Sequence, residues 1–424
     1  MIMETPYWWE AAKPETCEND LPQSVVDVAV IGAGYTGLNG AITLAKSGKS
    51  VTVLDTELPG FGASSRNGGM VGNLLKPGIG GLIEDFGEER GIAIAKEAIS
   101  SIDYTRQVIE QEQIDCDFSL NGRLYPAVLK KHLSSMAEES EKRARFLDAK
   151  EDILDHEQVK EDVGSALYVG GIRQYGTGGL HPAKYAKGLA KAAISAGAYL
   201  IAPCKALEIT STSSGFDIKT GKGILKAAEV LIATNGYGEN LVPFLQKRIM
   251  PIGSTVIATE ELDPDLVATL FPTNRVIADS RKMLSYYRPS PDGKRVLLGG
   301  RPSIFPAPAE RQAANLKSRL TEIFPKLEKA AVDHVWSGYV AYGFDALPVI
   351  GTHKGLHFAM GYTGSGVAMS GYLGHKAALQ ILGKTEGETA FDGLPFPDRF
   401  YYNGQPWFLP LAMIGYSIRD RLGF

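Results

Sequence analysis

Residues 25–55 constrain the fold more than any other stretch of this chain. Residues 25–31 ("VVDVAVI") form an apolar run interrupted only by Asp27, as expected of a parallel strand buried on both faces. Gly32, Gly34 and Gly37 follow in GxGxxG spacing. Residues 38–48 then read as a helix closed by a C-terminal glycine, and residues 50–55 ("SVTVLD") as a second strand. The glycine spacing alone is common. Its place between a buried strand and a helix, with Asp55 ending the next strand, gives each residue a task. Gly32 turns the chain, Gly34 lets a pyrophosphate approach the backbone, and Gly37 lets helix and strand pack closely. Tyr35 and Thr36 lie in the first helical turn, where the helix N-terminus presents about half a positive charge. Asp55 can accept a hydrogen bond from a ribose hydroxyl, and its charge would repel a 2′-phosphate. The unit predicts a dinucleotide site.

The rest of the composition narrows the setting. At about 150 residues per domain, 424 residues predict two or three domains. A net charge of −4 excludes the basic footprint of a general nucleic-acid binder. Cys17, Cys116 and Cys204 form no CxxC pair, which excludes a disulfide framework or thiolate zinc site and fits a reducing cytoplasm. His353 and His357 stand at i, i+4, but Gly355 lies between them in a loop-and-strand segment, so no metal is expected. Residues 1–20 lack a basic start and apolar run, so no signal peptide is expected. The tail, residues 406–424, is apolar but too short to span a bilayer and carries Pro410, Arg419, Asp420 and Arg421. It reads as an amphipathic helix packed on the body, with a peripheral membrane contact as the alternative.

Along the chain, residues 87–147 read as largely helical and residues 181–198 as a helix with Pro182 in its first turn. Short strands follow up to about residue 235. Residues 254–301 supply longer alternating strands that predict a second, antiparallel sheet. Strands near 333–340 and 356–360 lead into a last helix.

FAD is favoured over a nicotinamide cofactor. After Asp55 the chain makes a glycine-rich excursion ("PGFGASSRNGGMVGN", residues 59–73) instead of continuing short βα repeats. Later come a strand with Thr234, Asn235 and Gly236 ("EVLIATNGYG") and a strand–Gly-rich turn–helix with Gly364, Gly366 and Val367. Together with "GGLHPAKYAKGLAKAA", "YYRPSPDGKRVLLGG" and "WSGYVAYGFDALPVIG", these co-linear segments resemble the D-amino-acid oxidase superfamily of FAD-dependent oxidoreductases. The branch of gamma-glutamylputrescine oxidoreductases and related amine oxidases is the most similar. The resemblance implies an α/β architecture with an α+β second domain, a Rossmann-like FAD-binding domain interleaved with an antiparallel-sheet substrate domain. The expected boundaries are 25–85, 150–235 and 335–385 for the FAD-binding domain, 86–149 and 236–334 for the substrate domain, and 386–424 for a tail helix.

The resemblance also implies roles. The loop of Ser64, Ser65, Arg66, Asn67, Gly68 and Gly69 would run along the isoalloxazine ring, placing a cation and N–H donors where negative charge develops during oxidation. For Arg66 the alternative is a surface salt bridge. Relatives with covalent FAD carry a cysteine before the segment aligned with residues 341–351; this chain has none beyond Cys204, so the FAD is expected to be non-covalent. Strand alternation puts Tyr286 and Arg288 on one face. Register with the family turns that face to the substrate, with Arg301 nearby; the alternative is that these residues only cover the sheet. His181 either starts a helix or touches substrate. Sarcosine-type relatives clamp the substrate carboxylate with basic residues at positions that here read Gly69 and Ala368. An amine whose anionic group lies farther off, near Arg288 or Arg301, therefore fits better. The expected reaction is oxidation of a C–N bond, with O₂ or another electron acceptor taking the electrons. A D-amino-acid dehydrogenase feeding membrane quinone and a non-catalytic flavin-binding module are the alternatives, with an NAD-dependent dehydrogenase behind both.

Overall fold

The structure is a computed structural model that describes residues 2–301, 303 and 307–422. The opening unit forms as its pattern requires. Strand Val26–Ile31 lies between Val51–Leu54 and Gly223–Ile232, parallel to both, with Val28 opposite Val51 and Val30 opposite Leu231. Tyr199–Ile201 extends the sheet beyond Val51–Leu54, and Leu356–Met360 extends it on the other side. The hairpin strand Val349–His353 closes that edge. The strand Val26–Ile31 is buried along almost its whole length, which explains why its sequence is a run and not an alternation.

Helices Tyr35–Lys46 and Gly366–Ile381 cross against this sheet at close range. Glycines make the approach possible: a Cβ on Gly374 would lie 2.2 Å from the carbonyl oxygen of Thr36. The two helix N-termini are thereby brought to the same end of the sheet, beside the turn at Thr234 and Asn235. Gly361 N–H donates to the Asn235 side chain at 3.0 Å and ties that turn to the second helix's approach.

The second sheet has eight strands in the order Val332–Tyr342, Met250–Thr259, Val296–Gly300, Ser285–Pro289, Val276–Ala278, Arg123–Ala127, Gly170–Gln174 and Glu151–Asp155. It is antiparallel as expected except at one seam, where Val276–Ala278 runs parallel to Arg123–Ala127. The seam joins a half built from residues 123–174 to a half built from residues 250–342. Helix Ala309–Ile323 covers the buried outer face through Ala313, Leu316 and Leu320.

Three sequence expectations need correcting. Arg123–Ala127 is a strand inside a region that reads as helical; five residues are too few to show a period, and pairing with distant strands decides the conformation. Strands Glu151–Asp155 and Gly170–Gln174 lie in the second sheet, as does Val332–Tyr342, so sheet membership does not change at 150 or 335. The tail helix Leu409–Leu422 does not pack its apolar face on the body: Met413 is buried, but Leu411, Ile414 and Ile418, spaced three and four apart, are exposed. Gly423 and Phe424 lie outside the described residues, as do the side chains of Arg419, Asp420 and Arg421. Among the described residues no helix is long and apolar enough to cross a membrane.

Candidate active site

A cavity of about 1050 Å³ is lined by residues from both sheets. That exceeds the usual range for one small ligand and suits an extended dinucleotide with a substrate beside it.

One end is built by the glycine turn. Gly32 has φ +110°, and a Cβ there would meet the Ala233 carbonyl at 2.8 Å. A Cβ on Gly37 would lie 1.9 Å from the Gly32 carbonyl oxygen, so only glycine lets the helix start this near the strand. Asp55 accepts from Ala33 N–H at 2.7 Å and from Glu57 N–H at 2.9 Å. Each carboxylate oxygen keeps a lone pair for a ribose hydroxyl. Burial raises its pKa, and the two N–H donors oppose that rise. Gly34, Tyr35, Thr36, Thr234, Asn235, Gly364, Gly366 and Val367 also line the cavity. Gly37, Ser65, Gly69 and Gly236 do not; they shape its walls from behind. The Tyr35 and Thr36 side chains are committed elsewhere, to the Pro182 carbonyl at 2.9 Å and the Tyr362 hydroxyl at 2.7 Å. What this turn offers a ligand is backbone.

The Ser64–Gly69 loop is held from all sides. Ser64 Oγ accepts from Tyr35 N–H at 3.0 Å. Asn67 closes the loop on itself: its amide donates to the Ala63 and Ser64 carbonyls, and its oxygen accepts from Gly69 N–H at 2.7 Å. Three tryptophans donate to the loop from outside. Trp8 reaches the Asn67 carbonyl at 2.9 Å, Trp9 the Ser65 hydroxyl at 2.9 Å, and Trp336 the Arg66 carbonyl at 2.8 Å. Sequence reading missed Trp8 and Trp9, because nothing local ties an N-terminal segment to residues so far along the chain. Arg66 makes no salt bridge among the described residues. It stacks between Trp9 and Phe61 and donates to the Phe61 and Ser337 carbonyls. Burial lowers its pKa, yet it keeps its charge at neutral pH.

Tyr286 faces the cavity over this loop. A Cβ on Gly68 would lie 2.9 Å from its ring, and its hydroxyl hydrogen-bonds Ser254 Oγ at 3.0 Å. Tyr287, on the other face, is in the core with its hydroxyl on that of Tyr168 at 2.6 Å. Arg288 shares the face of Tyr286 but does not line the cavity. Its Nη1 donates to the carbonyls of Gly69 at 3.0 Å and Leu180 at 2.9 Å, so its guanidinium is spent beneath the loop, and the expected substrate contact is not there. Burial pushes its pKa down to about 10. His181 caps helix Pro182–Ser195 by accepting from Lys184 N–H at 3.2 Å and packs on Trp8; it does not line the cavity. Burial pushes its imidazole down to about 4, keeping it the neutral acceptor a cap requires.

Arg301 does line the cavity, and its Nη2 donates to the Tyr342 hydroxyl at 3.0 Å. Lys76, Arg123 and Lys282, which sequence reading did not single out, line the same region.

These residues fit the FAD that the sequence predicts: two helix N-termini, a backbone cradle that any Cβ would fill, and a tightly held loop share one cavity. The comparisons agree. Residues 27–379 match the family described as FAD dependent oxidoreductase. The chain is 32% identical over 403 residues to gamma-glutamylputrescine oxidoreductase of Escherichia coli (strain K12), covering 94% of this chain and 93% of that one. It is 32% identical over 377 residues to probable oxidoreductase OrdL of Haemophilus influenzae, covering 88% and 86%. Its fold superposes on glycine oxidase from Geobacillus kaustophilus with a TM-score of 0.72 at 24% identity, over 89% of this chain and 99% of that chain.

Proposed function

The chain belongs to this family of FAD-dependent oxidoreductases acting on amines or amino acids, and from that premise we propose that its own substrate is an amine carrying a distal anionic group. Gamma-glutamylputrescine is of this kind. FAD bound in the cavity supplies the acceptor for a hydride from the carbon that bears the amine, and the resulting imine is hydrolysed to a carbonyl.

The protein's part is to bind, orient and dry the substrate. Hydride leaves only from an unprotonated amine, and stripping the proton from a lysine-like amine at pH 7 costs about 4–5 kcal/mol. A dry aromatic wall lowers that cost, because excluding water disfavours the cation. Tyr286, packed on Gly68 and half-buried, supplies such a wall beside the loop. Arg66, held by Trp9, Phe61 and Trp336, is the fixed cation on the same loop.

One observation carries the substrate reading. Arg301 faces the cavity with the Tyr342 hydroxyl as its hydrogen-bond partner and no carboxylate partner among the described residues. The positions that could clamp a short amino acid are closed: a Cβ on Gly69 would lie 2.2 Å from the Leu180 carbonyl, and Ala368 is fully buried in the core. In a turnover panel, gamma-glutamylputrescine and other omega-amino acids are expected to exceed sarcosine and glycine in kcat/KM by at least ~10-fold, a difference of about 1.4 kcal/mol. Sarcosine or glycine at the head of the panel would overturn the reading.

The exposed Leu411, Ile414 and Ile418 favour one rival, a dehydrogenase that passes electrons to membrane quinone. Activity that requires membranes and yields no peroxide would select it. A cytoplasmic location belongs to the main reading, supported by three free cysteines. The lack of any cysteine after Cys204 supports non-covalent FAD.

A further inference from the structure

The cations around Arg301 form a group that no loop or helix cap accounts for. Arg123 opens the strand Arg123–Ala127 and turns toward the cavity. Its guanidinium makes no ion pair and no hydrogen bond among the described residues, and its Nε is a buried donor without a partner. Arg123 is half-buried and its guanidinium lies over the Tyr125 ring, 5.6 Å from its centre. A guanidinium with a buried donor and no acceptor is costly unless something else completes it. Lys76 lines the same region and likewise has no ion pair or hydrogen bond among the described residues. Lys282 lines it as well. These residues come from three separate segments, so no single element's local chemistry explains their convergence.

The acids Glu139 and Glu151 on this wall do not pair with Arg123 or Lys76. Glu139 accepts from the N–H groups of Ile79 and Gly80. Glu151 pairs with Arg143 at 2.8 Å and accepts from Gln174 at 3.0 Å. Tyr125 and Tyr342 complete the surroundings, and burial raises the Tyr125 phenol so that it stays neutral.

We propose that Arg123 and Lys76, with Arg301 and Lys282, form the subsite that receives the substrate's carboxylate, at the part of the cavity away from the glycine turn. This rests on the reading of the chain as an amine oxidoreductase and adds the residues that select among amines. A carboxylate seated there gives Arg123 the partner its fork geometry matches. Lys76 is exposed and opens on the cavity. Desolvation by the protein around it, and then Arg301, Arg123 and Lys282, push its ammonium down to about 8. It is therefore cationic below that pH and loses its charge above it, so the subsite weakens toward anions as pH rises.

The test uses the flavin-loaded protein and calorimetric titration with glutarate, an inert dicarboxylate, against glutaramide, its neutral diamide. Glutarate is expected to bind more tightly than glutaramide. Arg123→Ala should weaken glutarate binding by ~10- to 100-fold, the worth of a charge-assisted contact. Lys76→Met, on a different segment, should weaken it in the same direction and decides the matter if Arg123→Ala does not fold. The wild-type affinity should fall as pH rises through about 8, and Lys76→Arg should remove that fall. Equal binding of glutarate and glutaramide, or glutarate affinity untouched by both substitutions, would overturn the subsite. Failure of the amine reading would show separately, as a flavin that no amine reduces while the glutarate titration still responds to Arg123→Ala.

Discussion

Gly37→Ala is expected to yield a folded protein that purifies without its yellow cofactor. The added Cβ would lie 1.9 Å from the Gly32 carbonyl oxygen and 3.1 Å from Val30 Cγ1. Ordinary contact is about 3.5 Å or more, so the carbonyl or the helix has to move by over an ångström. The carbonyl cannot give way, because Gly32 is fixed at φ +110° against the Ala233 backbone. The helix start must move, and with it the backbone N–H groups that would face a bound pyrophosphate. The expected loss of FAD affinity is at least ~100-fold, about 2.7 kcal/mol. Absorbance near 450 nm relative to 280 nm, followed by titration with added FAD, reads the effect. Gly253→Ala is the control, since a Cβ there meets nothing within 4 Å. A fully yellow Gly37→Ala protein would contradict the placement of the dinucleotide at this turn.

The second large effect separates two readings of one arginine. Arg288→Ala is expected to lower stability by about 3 kcal/mol, through the Leu180 carbonyl left without a donor, the Gly69 carbonyl left with only the Leu180 N–H, and a cavity where the side chain stood. Those carbonyls belong to Gly69 and Leu180, which position the Ser64–Gly69 loop against helix Pro182–Ser195. Urea unfolding of the flavin-loaded protein measures the loss, and the fraction of FAD retained should fall with it. The KM of the amine should change by less than ~3-fold, about 0.7 kcal/mol, because Arg288 does not line the cavity. A ~10-fold rise in KM at unchanged stability would restore Arg288 to the substrate side.

Arg288 also shows where sequence reading stops. Strand alternation correctly separates Tyr286 and Arg288 from Tyr287, since a face is a local property of the backbone. It does not say how far along that face the cavity extends. Two residues beyond Tyr286 the strand has already passed under the loop, and the same face meets carbonyls. The glycine turn and Asp55 were legible because strand, turn and helix are contiguous and each glycine's task is set by its neighbours. Trp8 and Trp9 were not, because their partners Asn67 and Ser65 are joined to them only by tertiary folding. Arg123 and Lys76 were hidden for a related reason. Arg123 sits on a five-residue strand between helices, and its approach to Arg301 depends on the sheet seam that brings residues 123–127 beside residues 276–278. In the tail, the sequence shows a helix, but it does not say whether the body offers a surface to cover its apolar residues.

The most direct test of the account is an anaerobic visible spectrum of the purified protein before and after each of a panel of amines. The panel spans gamma-glutamylputrescine, other omega-amino acids, sarcosine, glycine and D-amino acids. The account predicts bound flavin whose absorbance near 450 nm bleaches with the amines that carry a distal carboxylate, and bleaches slowly or not at all with sarcosine and glycine. A flavin that none of these amines bleaches would contradict it.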